Sequence, residues 1–248
     1  MPHTGHIVHG RYAVVSCHVE RPLDDAVWRQ FAALQQRPPG GFAIAALMRP
    51  PAPGEDASRW LARAREAEAR APFGLHTHWT APDHARPTGG DPAALVREQA
   101  QWLRSEQLEA ALFCGGGWYL DEPVAEVLAE LGYADSTATA FRPDFLTPGD
   151  AHVQVSEPVW LELSSGRRLL ELPTTHSIGM LARCVLAPAL PQVVHAYFHD
   201  TDLLDRRRAA ALRVGLALLG RRRTPTDLRE LQRGSRPEKT MSFANSRG

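Results

Sequence analysis

Three short stretches of the chain place imidazoles and carboxylates at a spacing of two. They read Ser16-Cys17-His18-Val19-Glu20, His76-Thr77-His78-Trp79 and His195-Ala196-Tyr197-Phe198-His199-Asp200. If each ends a β-strand, alternate side chains share a face, so Ser16, His18 and Glu20 stand together, as do His76 with His78 and His195 with Tyr197 and His199. Imidazole nitrogens converging with a carboxylate form a donor set that borderline ions such as zinc favour, and three protein donors leave a position open for water or substrate. Glu20, His76 and His78 are therefore the candidate metal ligands. The competing reading is a set of partly buried histidines satisfied by backbone carbonyls. Glu20 weighs against it, because an unpaired buried carboxylate is expensive.

A fourth stretch, Phe113-Cys114-Gly115-Gly116-Gly117-Trp118-Tyr119, runs from an apolar segment into a helical pattern. Its three glycines either let backbone amides approach an anion or carbonyl oxygen, or form a tight strand-to-helix turn. The spacing is not G-x-G-x-x-G and the P-loop lysine is missing, which disfavours a nucleotide site. Trp79, Trp118 and Tyr119 offer flat faces to a sugar ring, or pack at the rim. No G-x-S-x-G elbow exists, and Cys114 is a weak candidate for a nucleophile because a free cysteine at a strand end is usually just buried.

These side chains act together only if the strands that carry them lie side by side. Short apolar segments at 12–16, 42–47, 73–78, 111–114, 133–136, 168–172 and 193–198 alternate with helical patterns at 23–36, 55–71, from Asp91-Pro92 onward, 121–131 and 202–219. Alternation of this kind predicts βαβ units around a parallel sheet or barrel, here a distorted α/β barrel of about seven parallel strands, whose chemistry gathers at the C-terminal strand ends. Two long stretches, 80–90 and 138–158, resist the pattern and are expected to form the site. The expected organisation is one barrel over 1–233, followed by a polar, aperiodic and disordered tail at 234–248.

Composition narrows the function classes. The 248 residues carry 28 Lys+Arg against 28 Asp+Glu, so nothing electrostatic favours a nucleic-acid partner. The arginine triplets 206–208 and 221–223 read as solvated helix faces. Three cysteines with no C-x-x-C spacing give neither a disulfide framework nor a zinc finger. No apolar run is long enough to span or anchor in a membrane, and the opening residues lack a secretory apolar core, so a cytoplasmic protein is expected.

In order and spacing, the segments at 16–20, 74–79, 113–118 and 197–203, with Leu128-Ala129-Glu130-Leu131-Gly132-Tyr133 between, resemble the polysaccharide deacetylases of carbohydrate esterase family 4. The resemblance spans about 12–219. It implies a distorted (β/α) barrel and metal-dependent removal of an acetyl or similar acyl group from an amino sugar or glycan. The ion, most plausibly zinc, would be held by Glu20, His76 and His78. His18 stands where the family usually has its Asp base, and Cys114 where it has the Arg that holds this Asp. The histidine motif is also shorter than usual. By this resemblance His18 is either the general base or a fourth ligand, His199 protonates the leaving amine, and Asp202 orients His199. Gly115, Gly116, Gly117, Trp118 and Trp79 would line the substrate site. The substrate would be a small molecule or oligosaccharide. A non-catalytic barrel that binds a glycan or metabolite is the alternative, since it needs neither the Asp nor the Arg.

Overall fold

A computed structural model describes residues 10–187 and 189–246. The opening segment, 1–9, lies outside the described residues. Five strands and four helices follow as βα units: β1 (Tyr12–Val19), α1 (Asp25–Gln36), β2 (Ala45–Met48), α2 (Ala57–Glu68), β3 (Phe73–Thr77), α3 (Pro92–Ser105), β4 (Leu112–Gly115), α4 (Glu122–Leu131) and β5 (Ala134–Asp135). Next come β6 (Val159–Glu162), β7 (Arg168–Glu171), β8 (His176–Ser177), α5 (Ile178–Cys184), β9 (Val193–His199), α6 (Arg206–Arg222), β10 (Thr224–Pro225), α7 (Leu228–Gly234) and β11 (Thr240–Ser242).

Local chemistry explains the helix starts. Asp24, Asp56, Asp91, Asp121 and Asp205 each accept hydrogen bonds from first-turn amides of α1, α2, α3, α4 and α6, which would otherwise be unpaired. Pro92 and Pro123 sit in first turns, where a missing N–H costs nothing. Gly132 closes α4 at φ 76°, a conformation a side chain would strain.

The strands form one sheet in the order β11-β6-β7-β5-β4-β3-β2-β1-β9-β8, with β10 beside β1. Every pairing is parallel except the β6–β7 hairpin. This is the expected distorted (β/α)-barrel arrangement, with a sheet that is not closed. Residues 168–177 bridge the gap: Leu172 and Thr174 donate from their amides to Asp135 and Ala138, and Thr175 then donates to the carbonyl of His195. Pro173, which has no N–H, sits at the crossing.

Two apolar layers fix the strand faces. Val15, Cys17 and Val19 of β1 face the helices with Phe31, Leu34 and Trp60. Val14, Ala45, Leu47, Leu112, Cys114 and Ala134 face the interior, where Leu228 and Leu231 of α7 pack with them. The inward face of β1 is thus Val14, Ser16 and His18, as alternation requires. Among the described residues no helix is long and apolar enough to cross a membrane.

The expectation of a disordered tail does not hold for 234–246. There β11 pairs with β6 at Thr240↔Trp160, Met241↔Leu161 and Ser242↔Glu162, and Phe243 is buried. The edge of β6 presents backbone groups that need partners, and one apolar anchor suffices to dock a short polar strand on it.

Candidate metal centre and active site

β1, β3 and β9 bring their ends to one mouth. In register, His18 pairs with Leu47 of β2 on one side and His199 of β9 on the other, while His76 pairs with Cys114 of β4. The carboxylate oxygen Oε1 of Glu20 lies 3.2 Å from His78 Nε2, 3.5 Å from His199 Nε2 and 3.8 Å from His76 Nε2. His76 and His78 bring their Nε2 atoms within 3.2 Å of each other.

Tautomers follow from the other ring nitrogens. His76 Nδ1 lies 2.9 Å from the carbonyl of Cys114, and His78 Nδ1 lies 2.6 Å from that of Pro82. A carbonyl only accepts, so both Nδ1 atoms donate and the neutral rings turn bare Nε2 lone pairs toward each other and toward Glu20. Three acceptors converging this closely need a cation between them, a proton or a metal ion. Donors about 2.0–2.2 Å from a tetrahedral zinc stand roughly 3.3 Å apart, close to the separations here. Backbone carbonyls holding the far nitrogen of each ring are the support that metal-binding histidines usually have. Glu20, His76 and His78 are therefore able to hold a metal.

Electrostatics keep the donors in binding form. Burial lowers the proton affinity of His76, and the facing Glu20 only partly offsets this. Burial would raise the pKa of the Glu20 carboxyl, but a positive charge among the imidazoles, with His76 and His78 donating to it and His199 beside it, outweighs burial and holds the group far below its ordinary range.

Two positioning groups escaped the sequence reading. Arg49 Nε donates to the carbonyl of Glu20 at 3.0 Å, and its guanidinium is paired with both oxygens of Glu55. Asp200 accepts from the amide of Arg21 at 2.9 Å, so the strand end that carries His199 is tied to the one that carries Glu20. Burial raises the Asp200 pKa to about 6. Alternation alone signals that Asp200 points away from His199.

The remaining sequence candidates fall into three places. His18 is buried, its ring stacked on His76 at 4.5 Å between centroids, with Cys114 Sγ 3.5 Å from its Nε2. Burial, then the neighbouring His76 and His199, hold its proton affinity well below normal. Burial likewise raises the Cys114 thiol, followed by Asp135 and Glu171, so Cys114 stays protonated and is a poor nucleophile. Deeper still, Ser16 and His195 hydrogen-bond at 2.8 Å in the closed interior.

His199 is 36% exposed, the open imidazole beside Glu20. Asp202 Oδ2 accepts from the His199 amide at 3.0 Å but lies 3.9 Å from the ring nitrogen Nδ1, too far for a hydrogen bond. Asp202, itself bonded by Arg208 at 2.7 Å, therefore holds the backbone of His199 and leaves the ring to other contacts.

The glycine turn has structural causes. A Cβ at Gly115 would stand 2.3 Å from the Tyr119 carbonyl, and one at Gly116 would stand 2.7 Å from that of Thr77. The Gly115 amide donates to Thr137 Oγ1, and the Gly117 carbonyl accepts from Arg86. Trp79 Nε1 donates to the Gly116 carbonyl, while Trp118 packs against His18 and Tyr197.

No protein-family model and no curated protein sequence matches the chain. Solved structures do. A 4-alpha-glucanotransferase from Thermococcus litoralis superposes with a TM-score of 0.60 at 10% identity, over 93% of this chain and 39% of its own. A protein described as a polysaccharide deacetylase from Mycobacterium smegmatis gives 0.58 at 15% identity, over 93% of this chain and 96% of its own. A mutant CE4 family pseudoenzyme with restored enzymatic activity gives 0.54 at 11% identity, over 94% and 70%. This chain has the fold of the polysaccharide deacetylases, at nearly the full length of the mycobacterial protein. A glucanotransferase shares that fold, so the reaction must be argued from the site.

Proposed function

We propose that the chain is a divergent polysaccharide deacetylase-like hydrolase that uses one divalent ion, zinc by preference, to cleave an N-acyl group from an amino sugar or related glycan. The convergence of Glu20, His76 and His78, with both imidazoles held through Nδ1 by carbonyls, carries this reading. Glycosyl transfer of the retaining type asks instead for two carboxyl groups about 5–5.5 Å apart at the scissile bond. Among the described residues Glu20 and Asp202 are the carboxylates beside these imidazoles, and Asp202 is committed to the His199 amide and to Arg208.

An ion at these donors supplies Lewis acidity, polarising a carbonyl oxygen and acidifying a water. The protein's own groups do the rest. His199 Nε2 takes the proton of the attacking water as its oxygen bonds to the acyl carbon. It then returns that proton to the amine nitrogen as the C–N bond breaks, releasing a carboxylic acid and a free amine, which leave as carboxylate and ammonium once the acid's proton has passed to the amine. Asp202 and Arg208 hold the backbone that sets His199 at this distance. His18, with a lowered proton affinity and its Nε2 against Cys114, acts as a platform beneath His76, a role that differs from both the general base and the fourth ligand implied by resemblance. Trp118, over that platform, and Trp79, beside the glycine turn, border the substrate.

The test is carboxylate release from a panel of amino sugars N-acylated with chains from acetyl to octanoyl, and their oligomers, by the zinc- or cobalt-loaded protein. Metal-dependent release is the expected result. Tight binding of an intact glycan with no release under either metal would replace the hydrolase by a non-catalytic glycan-binding barrel.

A further inference from the structure

Next to His78 a cavity of about 650 Å³ opens between the loop after β2 and the loop after β3. Its walls are Pro50, Pro51 and Ala52 on one side and Trp79, Leu95 and Trp102 on the other. His78 belongs both to this groove and to the donor cluster, so the groove adjoins the proposed reaction centre.

Of the groove's charged and polar groups, Arg49, Glu55, Trp79 and the Gln99 carbonyl are already committed, and Glu98 is exposed to solvent. Arg49 spends its guanidinium on Glu55, on the carbonyl of Pro50 and on that of Glu20. The Thr77 hydroxyl donates to Gln99 Oε1, and Trp79 Nε1 is taken by the Gly116 carbonyl. A sugar entering here would exchange water for few hydrogen bonds, which is unfavourable for its hydroxyls. An alkyl chain loses nothing by entering and gains burial against proline, leucine and tryptophan. An acetyl methyl would leave most of this space unused.

We infer that the groove receives the acyl chain of the substrate, and that the chain is a medium-length straight alkyl group in place of acetyl. This rests on the hydrolase reading above for the position of the carbonyl, and it adds the specificity: Leu95, Trp102 and the proline loop select the acyl length. The amine side of the substrate lies toward His199, across the donor cluster.

The experiment uses product analogues, so it does not require turnover. Acetate, butyrate, hexanoate and octanoate are titrated calorimetrically into the zinc-loaded full-length protein. The dissociation constant is expected to fall about threefold for each methylene that enters the groove. Ala52→Trp, which fills the groove from one wall, and Leu95→Asp, which charges the other, should each abolish the gain while zinc content stays as in wild type. Octanoate binding no more tightly than acetate overturns the inference, as does a gain that persists in both variants. The two readings fail separately. Chain-length-dependent binding without amide hydrolysis removes the enzyme and keeps the groove, whereas deacetylation indifferent to acyl length removes the groove and keeps the enzyme.

Discussion

The Nε2 atoms of His76 and His78 face each other across 3.2 Å while both Nδ1 atoms are held by backbone carbonyls. Neutral imidazoles would not choose that distance, so a cation resolves it, and replacing the rings separates a proton from a metal ion. The wild-type protein is expected to bind one equivalent of zinc and to melt at a higher temperature with zinc than with chelator, since a ligand of the native state stabilises it. In His76→Ala/His78→Ala, bound zinc should fall to background and that difference should vanish. Full zinc retention in the double variant would sink the assignment.

The H-x-H spacing, the position of Glu20 and the inward run of β1 were legible because strand alternation is a local rule. So was one helix start, where Asp91 precedes Pro92 as capping chemistry demands. The groups that support the site were not legible. The carbonyls of Cys114 and Pro82, the reach of Arg49 to Glu20 and the tie from Asp200 to Arg21 join residues brought together only by the fold. β8 and β10, two residues each, are too short to show a period. The tail hid its strand because its apolar content is Met241 and Phe243, a single period-two pair that gains meaning only beside the edge of β6.

Asp135 and Glu171 make a second prediction. They are register partners on β5 and β7, both fully buried, and each leaves one carboxyl oxygen, Asp135 Oδ2 and Glu171 Oε2, without another partner, a need that one proton shared between the two carboxyl groups meets. Asp135 Oδ1 already accepts from the amide and hydroxyl of Thr137, so Glu171 is the better holder of the proton. Burial, then the Asp135 charge, raises the Glu171 pKa well above its ordinary value, and burial raises that of Asp135. The sign follows from linkage. A carboxyl with a raised native pKa contributes stability that is complete below its unfolded value, about 4.3 for Glu, and that is lost as pH rises through the native value. Glu171→Gln keeps a donor toward Asp135 and removes the titration. Melting temperature measured from pH 5 to 9 should therefore fall less steeply in the variant than in wild type, with the variant at least as stable at the alkaline end. Parallel curves would mean that Glu171 does not carry the proton.

The last prediction separates His18 from His199. Both are imidazoles within reach of His76 or Glu20, and resemblance alone offers His18 as either the base or a fourth ligand. The geometry divides them. His18 is buried, its Nε2 lies against the Cys114 thiol, and burial makes it reluctant to take a proton. His199 is open to the mouth, with its backbone pinned by Asp202. A buried ring that serves as a platform can be replaced by another ring of similar size, because packing tolerates a near-isosteric swap far better than a deletion. His18→Phe should keep its zinc and hold its rate on the best N-acyl substrate within about tenfold, a loss smaller than removal of a positioned acid-base group causes. His199→Ala should also keep its zinc but lose at least about a hundredfold in rate. The pH profile adds a readout that packing does not move: its shape in His18→Phe should match that of wild type. If His18→Phe instead loses as much rate as His199→Ala with zinc retained, then His18 takes the water's proton and His199 only protonates the amine.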